Sequence, residues 1–393
     1  MRHLAQTSPA PIGLEIERAS GCWLIARDGR RYLDFIAGIG VCALGHGHPV
    51  VLEAIARQSA RHLHVMVYGE YVLEAQVALA SRLAALLPSP IDRVYFTNSG
   101  TEAIEGTLKT ARKYTGRAGW AAFDGAYHGD TMGALALAGN TSFRAPFEPL
   151  AGPVLHLPYD DEGALAKLDQ TISAVVIEPV QAEAGVRIPS VEFMRALRKR
   201  CDEVGALLVF DEVLTGFGRT GKLFALEHFG VTPDFVVLAK ALGGGLPLGA
   251  FCAPSVVLDT LSHDPPLGHI TTFGGHPLSC ATGLAALEFI VANRLAERAR
   301  HSGAQLLQQL SELIDSKQVH AVRGIGLLLG IELTSATLAQ RFVEKTIAGG
   351  VIVNWTLNAD NVVRLAPPLT ISDDEIKFAV GVMREALAGS SVP

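Results

Sequence analysis

Short apolar runs rich in β-branched residues recur along the middle of the chain, separated by stretches of helical spacing. The runs do not alternate strictly between apolar and polar residues, which is the pattern of strands buried on both faces of a sheet. The pattern therefore predicts a mostly parallel sheet of seven strands covered by helices, that is, an α/β fold. The predicted strands are 93–98, 119–127, 153–159, 173–180, 206–213, 234–241 and 248–254.

The segments outside these runs predict helices and one hairpin. Residues 192–205, EFMRALRKRCDEVG, place apolar side chains at helical spacing and end on glycine, a residue favoured just beyond a helix C-terminus. Near the N-terminus, the turn signal Asp28-Gly29 separates two short β-like runs, which predicts a hairpin. After about residue 285 the pattern changes to helices rich in Ala, Leu and Gln, which indicates a separate C-terminal domain.

Composition narrows the class of protein. The chain has 393 residues, 49% hydrophobic and 18% charged, so it can bury a large core. The net charge is −6 without a run of Lys and Arg, which disfavours a nucleic-acid partner. The five cysteines are scattered and lack CxxC spacing, which argues against a disulfide framework or a zinc ribbon. No stretch of 18 apolar residues occurs, so we expect a cytoplasmic protein that does not enter a membrane.

Lys240 is the first candidate for chemistry. It follows the apolar run FVVLA and precedes Gly243, Gly244 and Gly245. An amine in a site of low polarity has a lowered pKa and becomes nucleophilic, and glycines let the backbone approach a ligand closely. The alternative is an ordinary surface lysine just beyond a strand.

Asp211, at the end of the apolar run LLVFD, is a suitable partner for Lys240. An aspartate at a strand end can cap a helix or bind a metal, but no metal-ligand spacing lies nearby, and we expect no metal. A lysine with an aspartate is what pyridoxal 5'-phosphate (PLP) requires: the lysine forms a Schiff base, and the acid keeps the pyridine ring cationic.

Two further segments suit the phosphate and the ring of PLP. At residues 96–114 a predicted strand leads through Ser99, Gly100 and Thr101 into a helix, whose free N–H groups and dipole favour a phosphate. The same residues match a helix capping box, Ser99 with Glu102, and the two readings are compatible. Tyr127, in FDGAYHGD, can stack on a planar cofactor or serve as an ordinary packing aromatic.

Together these segments resemble the class III PLP-dependent aminotransferases of fold type I, the group of the acetylornithine, ornithine, 4-aminobutyrate and putrescine enzymes. The resemblance covers about residues 12 to 388 and is carried by SGTEA, AYHG, EPVQAEAG, DEVLTGFGRTG, LAKALGGGLPLGA and HITTFGGHPLSC. It implies a large domain with a seven-stranded, mostly parallel sheet and a smaller α+β domain. We assign 1–45 to the N-terminal segment of the small domain, 46–285 to the large PLP-binding domain and 286–393 to the C-terminal small domain.

The resemblance also implies roles for individual residues. Lys240 would carry PLP and move a proton, and Asp211 would pair with the pyridine nitrogen. Thr272 matches a phosphate ligand donated by the other subunit, which implies a homodimer with the active site at its interface. The remaining implied cofactor contacts are Ser99, Gly100, Thr101, Tyr127, His128, Glu178 and Val213.

Two charged residues match the substrate site of the family. Arg364, in VVRLAPPL, matches the arginine that binds the α-carboxylate of 2-oxoglutarate or glutamate. Glu183, in QAEAG, matches the glutamate that neutralises this arginine when a substrate brings no carboxylate. A buried arginine without a partner is costly, so a movable carboxylate would offset it. The alternative is a permanent salt bridge.

Two positions depart from the family pattern. Asp130 stands where acetylornithine, ornithine and 4-aminobutyrate enzymes usually have an arginine for the far carboxylate of the substrate. Leu214 stands where many relatives have a glutamine that contacts the cofactor. Residues 133–150 are similar to putrescine aminotransferase through the pattern FRxPFxPL.

The resemblance implies a PLP-dependent ω-aminotransferase. It would move an amino group from a diamine, an ω-amine or an ornithine-type amino acid to 2-oxoglutarate by a ping-pong mechanism. The alternatives are an acetylornithine, ornithine or 4-aminobutyrate aminotransferase, and then a diaminopelargonate-type aminotransferase. A different PLP reaction on the same scaffold and a non-catalytic PLP-binding protein also remain open.

Overall fold

The computed structural model describes residues 3–9 and 11–388. The extreme ends of the two predicted small-domain segments, together with residue 10, therefore lie outside the described residues. The strands are β1 Ile16–Ser20, β2 Trp23–Ala26, β3 Arg31–Asp34, β4 Arg93–Thr97, β5 Gly119–Phe123, β6 Val154–Leu157, β7 Ile172–Ile177, β8 Leu207–Asp211, β9 Phe235–Leu238, β10 Gly249–Ala253, β11 Val319–Ile325, β12 Leu328–Leu333, β13 Val351–Ile352, β14 Asn354–Trp355 and β15 Val362–Leu365.

Helices cover the strands and link them along the chain. They are α1 Ala37–Gly40, α2 Pro49–Arg61, α3 Glu74–Leu86, α4 Gly100–Thr115, α5 Met132–Ala136, α6 Thr141–Arg144, α7 Val191–Val204, α8 Ser255–Leu258, α9 Pro277–Ala292, α10 Leu295–Ser311, α11 Ala336–Ala348 and α12 Asp373–Ala388. The first of these is a four-residue turn in which Gly38 and Ile39 have left-handed backbone angles.

The central sheet confirms the seven predicted strands. Its order is β4-β10-β9-β8-β7-β5-β6. Strand β10 pairs antiparallel with β4 and β9, and the other neighbours pair in parallel. Every residue of β5, β7, β9 and β10 is buried, as the unbroken apolar runs require. The α/β fold is therefore confirmed.

The predicted helix and hairpin are also present. Helix α7 begins at a cap in which the Ser190 hydroxyl accepts a hydrogen bond from the N–H of Phe193. It ends at Gly205, whose φ of 70° is left-handed and suits glycine. Strands β2 and β3 pair antiparallel on either side of Asp28-Gly29, and the Asp28 carboxylate accepts a hydrogen bond from the N–H of Arg30 at 3.0 Å.

Two smaller sheets lie outside the central one. The first has the order β1-β2-β3-β13, so the parallel pairing of β13 with β3 joins the N-terminal segment to the C-terminal part of the chain. The second has the order β11-β12-β15-β14. The predicted boundary at residue 285 falls inside helix α9, and the domain boundaries stay predictions.

A membrane-spanning helix must be both long and apolar. Among the described residues no single helix meets both requirements. One helix pair, Pro277–Ala292 with Leu295–Ile314, meets them only when its two members are joined across a bend of 66°.

Candidate active site

A cavity of about 670 Å³ opens at the carboxyl-terminal edge of the central sheet. Ligands of open parallel sheets gather at this edge because the loops that follow neighbouring strands meet there. The predicted site residues that line the cavity follow β4, β5, β7, β8 and β9. They are Ser99, Gly100, Thr101, Tyr127, His128, Glu178, Glu183, Asp211, Val213 and Lys240. Of the predicted site residues, all except Arg364 and Thr272 therefore line this one cavity.

Lys240 begins a short 3₁₀ turn, Lys240–Gly243, two residues after the end of β9. Its φ of 48° is in the left-handed region, which non-glycine residues rarely adopt. Burial lowers the pKa of its amine, and the positive charge of Arg364 lowers it further, while Asp211 acts in the opposite direction. A lowered pKa leaves more of the amine neutral, and the neutral amine is the nucleophile.

Asp211 ends β8 as a carboxylate with both oxygens held. The Nδ1 of His128 lies 2.7 Å from one oxygen, and the N–H of Val213 donates to the other at 3.0 Å. Both side chains of the Asp211–His128 pair are buried. Burial lowers the pKa of His128, but its hydrogen bond to Asp211 and the nearby carboxylate charges outweigh burial and raise the pKa. The histidine therefore fixes the direction of the acid.

Helix α4 begins at the cavity. The Ser99 hydroxyl accepts a hydrogen bond from the N–H of Glu102 at 3.3 Å, so the predicted cap is present. The Glu102 carboxylate accepts from the N–H of Asn98 at 2.6 Å rather than from that of Ser99. The N–H groups of Gly100 and Thr101 belong to the first turn, where the helix itself offers no acceptor. The same start can therefore be capped and bind an anion.

Glu178 follows β7 and organises the loop that carries Tyr127. One carboxylate oxygen accepts from the N–H of Tyr127 at 3.0 Å, and the other accepts from the N–H of Ala182 at 3.2 Å. Burial raises the pKa of Glu178 to about 7, and the charge of His128 opposes this rise. The Tyr127 hydroxyl donates to the Asp130 carboxylate at 2.9 Å, which fixes the phenol at the cavity wall.

Glu183 and Arg364 form an ion pair beside the cavity. Arg364 lies on β15 and is 2% exposed, and Glu183 lines the cavity while Arg364 does not. The second oxygen of Glu183 accepts from the N–H of Leu357 at 3.0 Å. The glutamate thus covers the arginine on the cavity side, and the predicted pair is present in the described chain.

Thr272 is not brought to this cavity. It is exposed in the segment before α9, whereas its neighbour Thr271 contacts the start of α4 through the side chain of Asn98 at 3.4 Å. Thr272 lies outside the site of its own chain, and its role in the site of a second subunit stays a prediction.

Sequence reasoning missed Gly40 and Arg219. Gly40 has a left-handed φ of 77°, and a Cβ there would lie 2.3 Å from the Cδ1 of Leu214, so this position favours glycine. The glycine-rich stretch AGIG was the available signal. Arg219, in the motif FGRTG, is buried and donates to the carbonyl oxygens of Leu327 and Pro367, which makes it a structural residue.

These residues fit PLP. The cavity is lined by an amine with a lowered pKa, a carboxylate held at both oxygens, a helix start that can bind an anion, and an aromatic ring. In that order, these groups match the aldehyde, the ring nitrogen, the phosphate and the ring of the cofactor. The seat is also close-packed, because a Cβ at Gly100 would lie 3.0 Å from Val213. Among the described residues, no group of three or more His, Cys, Asp or Glu side chains is placed to hold a metal ion.

Comparison with known proteins agrees with this chemistry. The family model of aminotransferase class-III matches residues 4–387. The acetylornithine aminotransferase of Methanopyrus kandleri is 42% identical over 99% of this chain and 97% of that protein. The putrescine aminotransferase of Pectobacterium atrosepticum is 41% identical over 94% of this chain and 81% of that protein. A PLP-bound amine transaminase from an uncultivated Pseudomonas species has a TM-score of 0.92 and 29% identity, with 99% of each chain covered.

The fold and the site thus define a PLP-dependent transaminase. The chain belongs to the class III aminotransferase family, and the prediction from its motifs is confirmed.

Proposed function

We propose that this enzyme is an ω-aminotransferase that moves the amino group of a diamine, an ω-amine or an ornithine-type amino acid to 2-oxoglutarate. The first product leaves before the second substrate binds, which gives ping-pong kinetics. The observation that carries the proposal is the convergence of Lys240, Asp211 and the start of helix α4 on one cavity. The relatives named acetylornithine aminotransferase and putrescine aminotransferase support an amino donor whose reacting amine is separated by an alkyl chain from a polar group at the other end.

The residues around the cofactor act as follows. PLP, when bound, withdraws electrons from the carbon that bears the amine and so eases removal of its proton. Lys240 would hold the cofactor through its amine, and its Nζ would take and return that proton. The Asp211 carboxylate, which His128 holds in place, would keep the ring nitrogen protonated. Ser99, Gly100 and Thr101 bind the phosphate.

Three more residues complete the proposed cofactor seat. Tyr127 and Val213 line the cavity and would contact the ring. Glu178 contributes through the backbone of the Tyr127 loop, which its carboxylate holds at 3.0 Å.

Arg364 and Glu183 handle the two different substrates of the reaction. When 2-oxoglutarate enters, Glu183 moves aside and the arginine binds the carboxylate next to the oxo group. When an amine without that carboxylate enters, Glu183 stays on the arginine and neutralises it. The buried guanidinium of Arg364 is then paired in both cases. Leaving it unpaired would cost about 3–5 kcal/mol.

The active unit is a homodimer with the active site at its interface. Thr272 lies outside the cavity of its own chain, in a segment with exposed apolar neighbours. Leu267, Ile270 and Phe273 are 56%, 52% and 54% exposed. A cluster of large exposed apolar side chains is typical of a surface that another protein covers. The cytoplasmic location stays a prediction.

The function is tested by loading the protein with PLP and adding amines without an acceptor. We expect the absorbance band of the bound cofactor to disappear with a productive amine and to return when 2-oxoglutarate is added. The donors are putrescine, cadaverine, ornithine, N-acetylornithine, lysine, 4-aminobutyrate and β-alanine. A band that persists with every donor would favour a PLP-binding protein without transaminase activity.

A second candidate is an acetylornithine aminotransferase, which the identity to the Methanopyrus kandleri enzyme favours. Asp130 argues against it, because the resemblance places an arginine for the far carboxylate of the donor at this position. A higher kcat/KM with N-acetylornithine than with putrescine would select this candidate.

A further inference from the structure

We propose that Asp130 binds a second, distal ammonium group of the amino donor, so that the preferred donors are diamines. The inference rests on the proposed function and specifies its donor. Asp130 lines the same cavity as Lys240, at whose amine the reaction takes place. A donor with one amine at each end offers one amine to the reaction at Lys240 and one ammonium to Asp130.

The backbone holds Asp130 at a fixed point of the cavity wall. On one side, Gly129 has a φ of 118° and packs so closely that a Cβ there would lie 2.3 Å from the Oγ1 of Thr101. On the other side, the N–H of Thr131 donates to the same Oγ1 at 3.3 Å, and the two threonine hydroxyls lie 2.7 Å apart. Asp130 is thus anchored from both sides to the first turn of α4. Such anchoring keeps a binding group in place before the ligand arrives.

The carboxylate of Asp130 is oriented but not neutralised. The Tyr127 hydroxyl donates to its Oδ2 at 2.9 Å, which leaves the other oxygen for a ligand. Within residues 3–9 and 11–388, Asp130 forms no salt bridge. The buried Arg364 is paired with Glu183. The wall at Asp130 therefore carries an unbalanced negative charge.

This charge discriminates between donors by their far ends. It attracts an ammonium and repels a carboxylate. Val41 and Leu214 also line the cavity and offer apolar contact to the alkyl chain between the two ends. Because Asp130 is exposed, water and salt screen the attraction, and we expect a preference of about fivefold to tenfold rather than a larger one.

The test compares three donors with the same four-carbon chain: 1,4-diaminobutane, 1-aminobutane and 4-aminobutyrate. We expect kcat/KM of the wild-type enzyme to be at least about fivefold higher for the diamine than for the monoamine. Asp130→Asn keeps an acceptor for Tyr127 but removes the charge, so this ratio should fall towards one. Asp130→Arg should reverse the order and favour 4-aminobutyrate over the diamine.

The matched control is Asp161→Asn, the same change at an exposed aspartate outside the cavity, and it should keep the wild-type ratio. Added salt should lower the diamine preference of the wild type, because an exposed charge is screened. If the wild type and Asp130→Asn are both active and show the same ratio of kcat/KM for the diamine to kcat/KM for the monoamine, this inference alone is overturned. An enzyme inactive with every donor would overturn the proposed function as well.

Discussion

Asp211 and Arg364 are buried charges in opposite situations. Both oxygens of Asp211 are held, at 2.7 Å by His128 and at 3.0 Å by the N–H of Val213, so its direction is fixed. Among the described residues Arg364 has one ion-pair partner, Glu183, which lines the cavity while the arginine does not, and which the proposed mechanism moves aside. A fixed acid suits a resident ring nitrogen, whereas an exchangeable partner suits a site that two substrates visit in turn.

Replacing either member of the Arg364–Glu183 pair should affect the two substrates differently. Arg364→Ala should raise KM for 2-oxoglutarate by about 10-fold or more, since a charged hydrogen bond contributes roughly 1.5–3 kcal/mol. The KM for the amine should change less. In Glu183→Gln the arginine loses its competing charge, so KM for 2-oxoglutarate should not rise while that for the amine does. Steady-state kinetics with both substrates varied is the measurement, and equal effects on both would refute the exchange.

The lowered pKa of Lys240 predicts how PLP loading depends on pH. The neutral amine attacks the aldehyde, and its fraction rises with pH, so the loading rate of the apoprotein should rise as well. Burial lowers the pKa, so the midpoint should fall below the ordinary lysine value of about 10.4. Stopped-flow absorbance at a series of pH values measures the rate. A midpoint at or above the ordinary value would contradict the assignment of a buried, neutral-prone amine.

Helix α9 supports the turn that carries Lys240. The Thr282 hydroxyl donates to the carbonyl oxygen of Gly243 at 2.8 Å. One residue on, a Cβ at Gly283 would lie 2.3 Å from the carbonyl oxygen of Leu242. The helix therefore packs its backbone directly against the lysine-bearing turn, and only glycine permits that approach.

A pair of glycine substitutions tests this contact. Gly283→Ala should lower the free energy of unfolding by about 1–3 kcal/mol, because the helix or the turn must shift. Gly381→Ala, on α12, meets nothing within 4 Å and should instead stabilise the protein by about 0.5–1 kcal/mol through helix propensity. Urea unfolding of both variants gives the values. A Gly283→Ala protein as stable as the wild type would show that α9 does not restrain the turn.

The elements of the central sheet and the chemical groups at their ends could be predicted from the sequence. Each strand is an apolar run that continues through several residues, and Lys240 and Asp211 stand where such runs end. The stretch AGIG marks Gly40 as a turn glycine, but its contact with Leu214 could not be predicted, because Leu214 is far away in the sequence. The contact of His128 with Asp211 likewise joins a loop to the end of strand β8, and no local sequence pattern encodes such a contact.

At the scale of the whole molecule, the segment from Leu267 to Phe273 exposes several large apolar side chains. Leu267, Ile270 and Phe273 lie beside Thr272, and none of these four residues lines the cavity of its own chain. Covering these side chains with a second copy would remove apolar area from water. The same contact would carry Thr272 towards the site of the partner subunit.

Phe273→Asp should therefore weaken the dimer and lower the affinity for PLP. A charge in a buried apolar contact costs several kcal/mol unless it is paired. The control is Phe378→Asp on α12, since Phe378 is also exposed, at 42%, but lies in another part of the fold. Sedimentation velocity gives the oligomeric state, and PLP titration gives the affinity. A wild-type monomer with full activity, or an intact Phe273→Asp dimer, would contradict the proposed interface.

The covalent attachment of PLP to Lys240 is the claim on which the proposed mechanism rests, and one measurement addresses it directly. The PLP-loaded protein is reduced with borohydride, digested and mapped by mass spectrometry. We expect the cofactor mass on the peptide that contains Lys240, and its loss when a productive amine is added before reduction. Cofactor attached to a different lysine, or no attachment at all in the loaded protein, would contradict the account.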